Sequence, residues 1–308
     1  MAITAKDVQE LRAKTGIGMM ECKKALTEAN GDMDEAIKIL REKGLAVAAK
    51  KADRIAAEGI VDIAFCEECH VAAMIEVNIE TDFAAKSDAF TSFVKELLAI
   101  ILDKRPANVE ELMALPFSAE MNVEAALKDK IFTIGENISI RRFAIVEGAT
   151  SSYIHGKGTI GVVVKMADPQ SDNALFVEAA KNLALQIAAM NPTYLNAESV
   201  PAAVLQSEKE IVLAQMADDP KAAGKPQQIL DKMAEGKLKK FFTANCLVDQ
   251  EYVKEDKMTV AQYLASVAKE IGSPVACASY VRFERGEGIE KKEEDYAAEV
   301  AKLAGTAK

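Results

Sequence analysis

Apolar residues fall at helical spacing in three short stretches before residue 44. Thr4 and Asp7 form a capping-box pattern with Asp in place of the usual Glu, and Val8 and Leu11 follow on one face. Thr15-Gly16-Ile17-Gly18 breaks that helix. Met19, Cys22, Ala25, Leu26 and Ala29 form a second stripe, which Asn30-Gly31 ends. Asp32 and Glu35 open a third helix carrying Ala36, Ile37 and Leu40, with Gly44 placed to terminate it. Residues 1–44 therefore read as a three-helix module with a core too small to stand alone. Residues 45–57, rich in Ala and Lys, read as a helical connector.

The rhythm then changes to short strands. Ile60–Phe65 turns at Cys66–His70 and returns as Val71–Val77, and a helix follows from about Ser87 with Phe90, Phe93, Val94, Leu97, Leu98 and Ile101 on its apolar side. The sequence repeats this plan: Ser151–His155, a turn at Gly156–Gly158, a return over Thr159–Met166, then a helix carrying Phe176, Val177, Ala180, Leu183, Ala184 and Ile187. Hairpin then helix, twice, predicts an α+β core of two similar subdomains, residues 58–146 and residues 147–198 with 243–284. Residues 199–242 read as an antiparallel helical hairpin. Its apolar positions include Val204, Leu205, Ile211, Val212 and Met216 on one arm, and Ile229, Leu230, Met233 and Leu238 on the other. Val260–Ile271 and Cys277–Phe283 continue the core. Residues 285–308 read as a C-terminal helical module, with Tyr296, Val300 and Leu303 on one side of its helix.

Composition narrows the functions open to such a chain. Its 308 residues carry a formal net charge of -10, so no broad phosphate-neutralising surface is expected. No apolar run approaches the roughly 20 residues that span a bilayer, and the first residues lack a signal-peptide pattern. A cytoplasmic location is expected, with all five cysteines as reduced thiols. Only two histidines, His70 and His155, limit metal and triad chemistry. Cys66-Glu67-Glu68-Cys69-His70 matches the C-x-x-C-H pattern, but the other cysteines are scattered and no helix follows to lower a thiol pKa. An acidic hairpin turn is the plainer reading, and a thiol-redox or metal-binding protein built on this turn is the alternative. Gly156-Lys157-Gly158-Thr159-Ile160-Gly161 matches G-x-G-x-x-G, yet it leads into a strand where a dinucleotide fingerprint opens a helix. No P-loop or nucleophile elbow is present. The residues alone point to an interaction protein without catalysis or cofactor.

Five blocks, in order, resemble the bacterial translation elongation factor Ts family over nearly the whole chain. They are residues 11–26 (LRAKTGIGMMECKKAL), 78–86 (NIETDFAAK), 134–142 (IGENISIRR), 153–156 (YIHG) with Ile160-Gly161, and 282–291 (RFERGEGIEK). The resemblance implies a guanine-nucleotide exchange factor for elongation factor Tu that performs no covalent chemistry and binds no nucleotide, nucleic acid or membrane itself. It also implies a ubiquitin-associated-like N-terminal module and a helical hairpin, residues 199–242, inserted in the second subdomain, and leaves open a homodimer or a 2:2 assembly with the partner. By the same resemblance, Thr81, Asp82, Phe83 and Ala84 would disturb the partner's Mg²⁺ site, and Ile134 and Gly135 would press near its phosphate loop. His155 would reach another partner domain, and Arg12, Met19 and Met20 would dock the N-terminal module. Two positions depart from the family pattern. Ala84-Ala85 stands where Val-Ala is common, and Gln250-Glu251-Tyr252 where Gln-Pro plus an aromatic is.

Overall fold

Helix α1 (Ala5–Thr15) begins at Thr4, whose hydroxyl accepts from the Asp7 amide at 3.3 Å while the Asp7 carboxylate accepts from the Thr4 amide at 2.8 Å. Gly16, at φ 69°, ends it in the left-handed conformation that costs a glycine little. Helices α2 (Met19–Glu28) and α3 (Met33–Lys51) complete a small core of Leu11, Cys22, Leu26 and Leu40, against which Phe132 packs from a later helix. The computed structural model describes residues 3–167, 173–217 and 226–290.

Gly44 does not terminate α3. It is buried within the helix, and a Cβ placed there would sit 3.5 Å from the Phe132 side chain. The glycine marks a close helix-to-helix approach, so the helix runs unbroken into the segment read as a separate connector.

Strands β1 (Glu58–Cys66), β2 (Val71–Ile79) and β3 (Ile138–Glu147) form an antiparallel sheet in the order β1-β2-β3. Between β2 and β3 lie α4 (Asp82–Ala85), α5 (Asp88–Lys104), α6 (Val109–Ala114) and α7 (Val123–Ile134). All six apolar residues expected on the inner side of α5 are buried there, and Ser87 caps its first turn. The hydrophobic pattern by itself marks no element at α6, α7 or β3. The consecutive Arg141 and Arg142 interrupt the alternation of β3, and the structure uses both on the buried Glu76 of β2, at 2.9 and 2.7 Å.

The second sheet joins β4 (Ser151–His155), β5 (Ile160–Ala167) and β6 (Ala276–Glu284) in the order β4-β5-β6. Helices α8 (Ala174–Met190) and α11 (Val260–Ile271) cover one face of it. Each sheet is thus a hairpin whose second strand pairs with a strand arriving much later. The chain as a whole is mixed α+β.

The two sheets meet through Val61, Ala72, Met74, Val163 and Phe283. Gly161 lies at a close approach of the two: a Cβ there would be 2.5 Å from Val61 Cγ1 and 2.9 Å from Met74 Sδ. Gly158, at φ 94°, turns the β4–β5 hairpin and its carbonyl accepts from the Val61 amide at 2.8 Å. The glycine motif therefore serves a turn and a sheet contact.

Helices α9 (Ala202–Ala217) and α10 (Gln227–Asn245) pack on each other through Val212, Met216, Leu230, Met233 and Ala234. Ile211 and Ile229, apolar positions of the two arms, are exposed. The bend expected between the arms lies mostly outside the described residues, as does nearly all of the expected C-terminal helix. No helix among the described residues is long and apolar enough to cross a membrane.

The structure joins Cys66 and Cys69 in a disulfide, correcting the expectation of five reduced thiols. Cys66 closes β1 and Cys69 lies in the turn before β2, a fold-back that brings their Cα atoms to 5.7 Å, within reach of a bridge. Cys22, Cys246 and Cys277 are free and buried. No group of three or more His, Cys, Asp and Glu among the described residues could hold a metal ion.

Candidate functional site

β2 delivers the chain at Ile79 to a helix of only four residues, α4, before α5 begins. Thr81 caps α4, its hydroxyl accepting from the Ala84 amide at 3.2 Å. Ala84 and Ala85 turn inward and are buried. Phe83, one residue and about 100° earlier around the helix, is thereby turned out and is 85% exposed. A ring so placed contributes almost nothing to the core. Asp82 is exposed as well. Lys86 donates to its carboxylate at 2.6 Å and holds it below the usual carboxylate range, with the Arg285 charge adding to the effect.

A second segment meets this loop from 55 residues away. Helix α7 ends at Gly135, φ 86°, and Glu136 follows. The Glu136 carboxylate accepts from the Thr81 amide at 2.9 Å and from the Thr81 hydroxyl at 2.8 Å. In return the Glu80 carboxylate accepts from the Asn137 amide at 2.6 Å. Asn137 also donates to the Arg54 carbonyl at 2.7 Å, and Lys51 Nζ donates to the Gly135 carbonyl. The ends of α3, β2 and α7 and the start of β3 thus converge at Thr81, two residues before Phe83. Ile134 is half-buried against the first core, while Gly135 is exposed.

The structure therefore brings Thr81, Asp82, Phe83 and Gly135 to one surface with Ile134 half-buried at its edge, whereas Ala84, expected among the contact residues, is buried beneath it. His155 stands elsewhere, exposed at the end of β4 in the second sheet, with its Nδ1 3.1 Å from the Tyr153 hydroxyl. Arg12, Met19 and Met20 are exposed on α1 and α2, Met20 the more so. Among the described residues no hydrogen bond or ion pair joins these four to the Thr81–Ala84 loop. Sequence reasoning gave no role to Glu80, Glu136, Asn137 or Lys51, although the first three lie in the blocks 78–86 and 134–142 that carry the resemblance. Their signal is the pairing of β2 with β3, which single-chain periodicity does not carry. A cavity of about 220 Å³ between α3 and α7, lined by Leu40, Leu45, Met121 and Ala125 among others, contains none of the predicted site residues.

Fold and site together define a two-sheet α+β protein whose candidate site is a braced surface with an outward aromatic ring. Comparison with known proteins gives the family. A family profile described as Elongation factor TS matches residues 80–287. The chain is 47% identical over 306 residues to the elongation factor Ts of Clostridium perfringens strain 13, covering 98% of this chain and 99% of that one. It is 46% identical to the elongation factor Ts of Clostridium kluyveri strain NBRC 12016, covering 97% and 98%. Against that of Syntrophotalea carbinolica it is 45% identical, covering 98% and 99%. The chain belongs to the elongation factor Ts family, and so to the elongation factors of protein biosynthesis.

Proposed function

We propose that this chain is the nucleotide-exchange factor of elongation factor Tu and that Phe83 is its wedge. The observation that carries the reading is the Phe83 ring, 85% exposed on a four-residue helix whose neighbours Ala84 and Ala85 are buried. An apolar ring held in water on a braced support gains by entering a partner. Burying it contributes roughly 1.5–3 kcal/mol.

In this reading Thr81 and Ala84 shape the loop, and Asp82 places negative charge beside the elements that hold the partner's Mg²⁺. Ile134 and Gly135 press on its phosphate loop from the adjoining turn. GDP leaves, and GTP can bind in its place. Because the coupling is reciprocal, GDP weakens the factor's own binding by the same ratio. His155 on the second sheet contacts another domain of the partner, and Arg12, Met19 and Met20 dock residues 1–44, a ubiquitin-associated-like module, on the GTPase domain. The two sheets with their helices act as core subdomains, and α9 and α10 as the inserted hairpin. The reading assigns the chain no cofactor and no covalent chemistry.

Stopped-flow release of a fluorescent GDP analogue from elongation factor Tu tests the proposal. The wild-type chain should accelerate release, and Phe83→Ala should slow the accelerated rate about ten- to a hundredfold, since each factor of ten needs about 1.4 kcal/mol. Its melting temperature should stay at the wild-type value, because the ring is outside the core. Release at the wild-type rate by the variant overturns the wedge.

A further inference from the structure

The loop that carries Phe83 is seated on its inner side, where Ala84 and Ala85 pack into the first core, and its outer side is left to polar ties. Four residues are far below the length at which a helix is stable in water. Its local ties are the Thr81 cap, the exposed Asp82–Lys86 pair, and the Ser87 hydroxyl donating to the Ala84 carbonyl at 2.7 Å. The cap and the ion pair lie within the loop, while Ser87, the N-cap of α5, ties its far end to that helix. Glu136 is different. It arrives from the turn after α7, and both of its carboxylate oxygens are engaged by Thr81, one on the amide and one on the hydroxyl. The Thr81 hydroxyl therefore donates to Glu136 while accepting from the Ala84 amide, which fixes its rotation and the entry angle of α4. Glu80 returns the contact through the Asn137 amide, so the two crossings lock the end of β2 to the start of β3.

We infer that Glu136 is a positioning residue for exchange: it makes the Phe83 loop and the Ile134–Gly135 turn one rigid body. The inference rests on the function proposed above. A partner that must be distorted by a ring pushes back on that ring, and a loop free to yield absorbs the push without transmitting it. Glu136 contacts neither the partner's nucleotide nor its metal in this scheme; it acts through Thr81. Its loss should lower the maximal exchange rate while leaving the half-saturating concentration of the factor nearly unchanged, because the docking contacts remain. A merely structural role would instead appear as a lowered melting temperature with both parameters following it.

The experiment compares wild type, Glu136→Ala and Glu136→Gln in stopped-flow GDP release across a range of factor concentrations, with melting and amide hydrogen exchange on the same preparations. The alanine variant should lose about tenfold in maximal rate, an effect of about 1.4 kcal/mol. The glutamine variant keeps one acceptor oxygen and should fall between alanine and wild type. Peptides covering residues 79–87 should exchange faster in Glu136→Ala than in wild type. An alanine variant with the wild-type maximal rate overturns the inference, as does unchanged protection over 79–87. Should Glu136→Ala melt, Glu136→Gln carries the test, and a folded glutamine variant indistinguishable from wild type in rate and protection also overturns it. A wild-type chain that fails to accelerate GDP release overturns the functional reading instead, and the protection of residues 79–87 then still decides whether Glu136 braces the loop.

Discussion

Cys277 lies at the β5–β6 ladder, and burial pushes its thiol up to about 12, so it stays protonated and unreactive at neutral pH. The Cys246 thiol is raised too, by burial and the nearby Asp249 charge, and Cys22 is fully buried. With Cys66 and Cys69 paired, the native unreduced protein should give no fast reaction with a thiol reagent at pH 8. Denaturation should then release the three free thiols, and denaturation after reduction all five. Two fast thiols on the native, unreduced protein would show the turn to be open. The oxidised turn was not legible in the sequence, because spacing permits a bridge without deciding whether the chain folds back far enough to close it. Phe83 was legible only through its resemblance. By hydrophobicity it reads as core, and its exposure follows from the helical phase of Ala84 and Ala85, which pack where a larger residue would be expected to.

Helix α3 and strand β5 each carry a glycine whose purpose emerges only from packing. At Gly44 a Cβ would make ordinary contact with Phe132 at 3.5 Å, and the backbone is not left-handed. Gly44→Ala should therefore stabilise the protein by about 0.5–1 kcal/mol through helix propensity, measured by urea denaturation. A helix-ending glycine at that position would give the opposite sign. Gly161→Ala should destabilise by about 1–3 kcal/mol, since its methyl meets Val61 and Met74 well inside contact distance and the sheets must part. The two hairpins, the start of α5 at Ser87 and the capping box of α1 were readable because each depends on local chemistry. β3 and α7 were not, since half of what fixes them is a long-range partner: Glu76 for the arginines of β3, and Gly44 for Phe132.

The two halves of the molecule are tied by Glu76, a fully buried carboxylate on β2. It accepts from Arg141 at 2.9 Å, from Arg142 at 2.7 Å and from the Gly286 amide at 2.7 Å, just beyond β6 of the other sheet. Arg142 also stacks over Phe283, 4.3 Å from the ring centroid. Glu76→Gln should cost about 3 kcal/mol in urea denaturation, the lower end for a broken buried pair because both arginines still reach solvent. Glu287→Gln, on the exposed side of the same cluster, should change stability by no more than about 0.5 kcal/mol. Such a knot joins segments 210 residues apart, a separation at which residue patterns lose all reach. The unbroken α3 has a reach of its own. Gly44 and Lys51 are seven residues apart, close to two full turns, so both address α7: one at Phe132, the other at the Gly135 carbonyl. The helix therefore behaves as a toothed gauge that meshes with α7 at two points. Slipping one residue into it between those points turns its halves about 100° out of phase. One tooth then disengages: either the N-terminal helices swing away from α7, or the Gly135 turn loses its lysine.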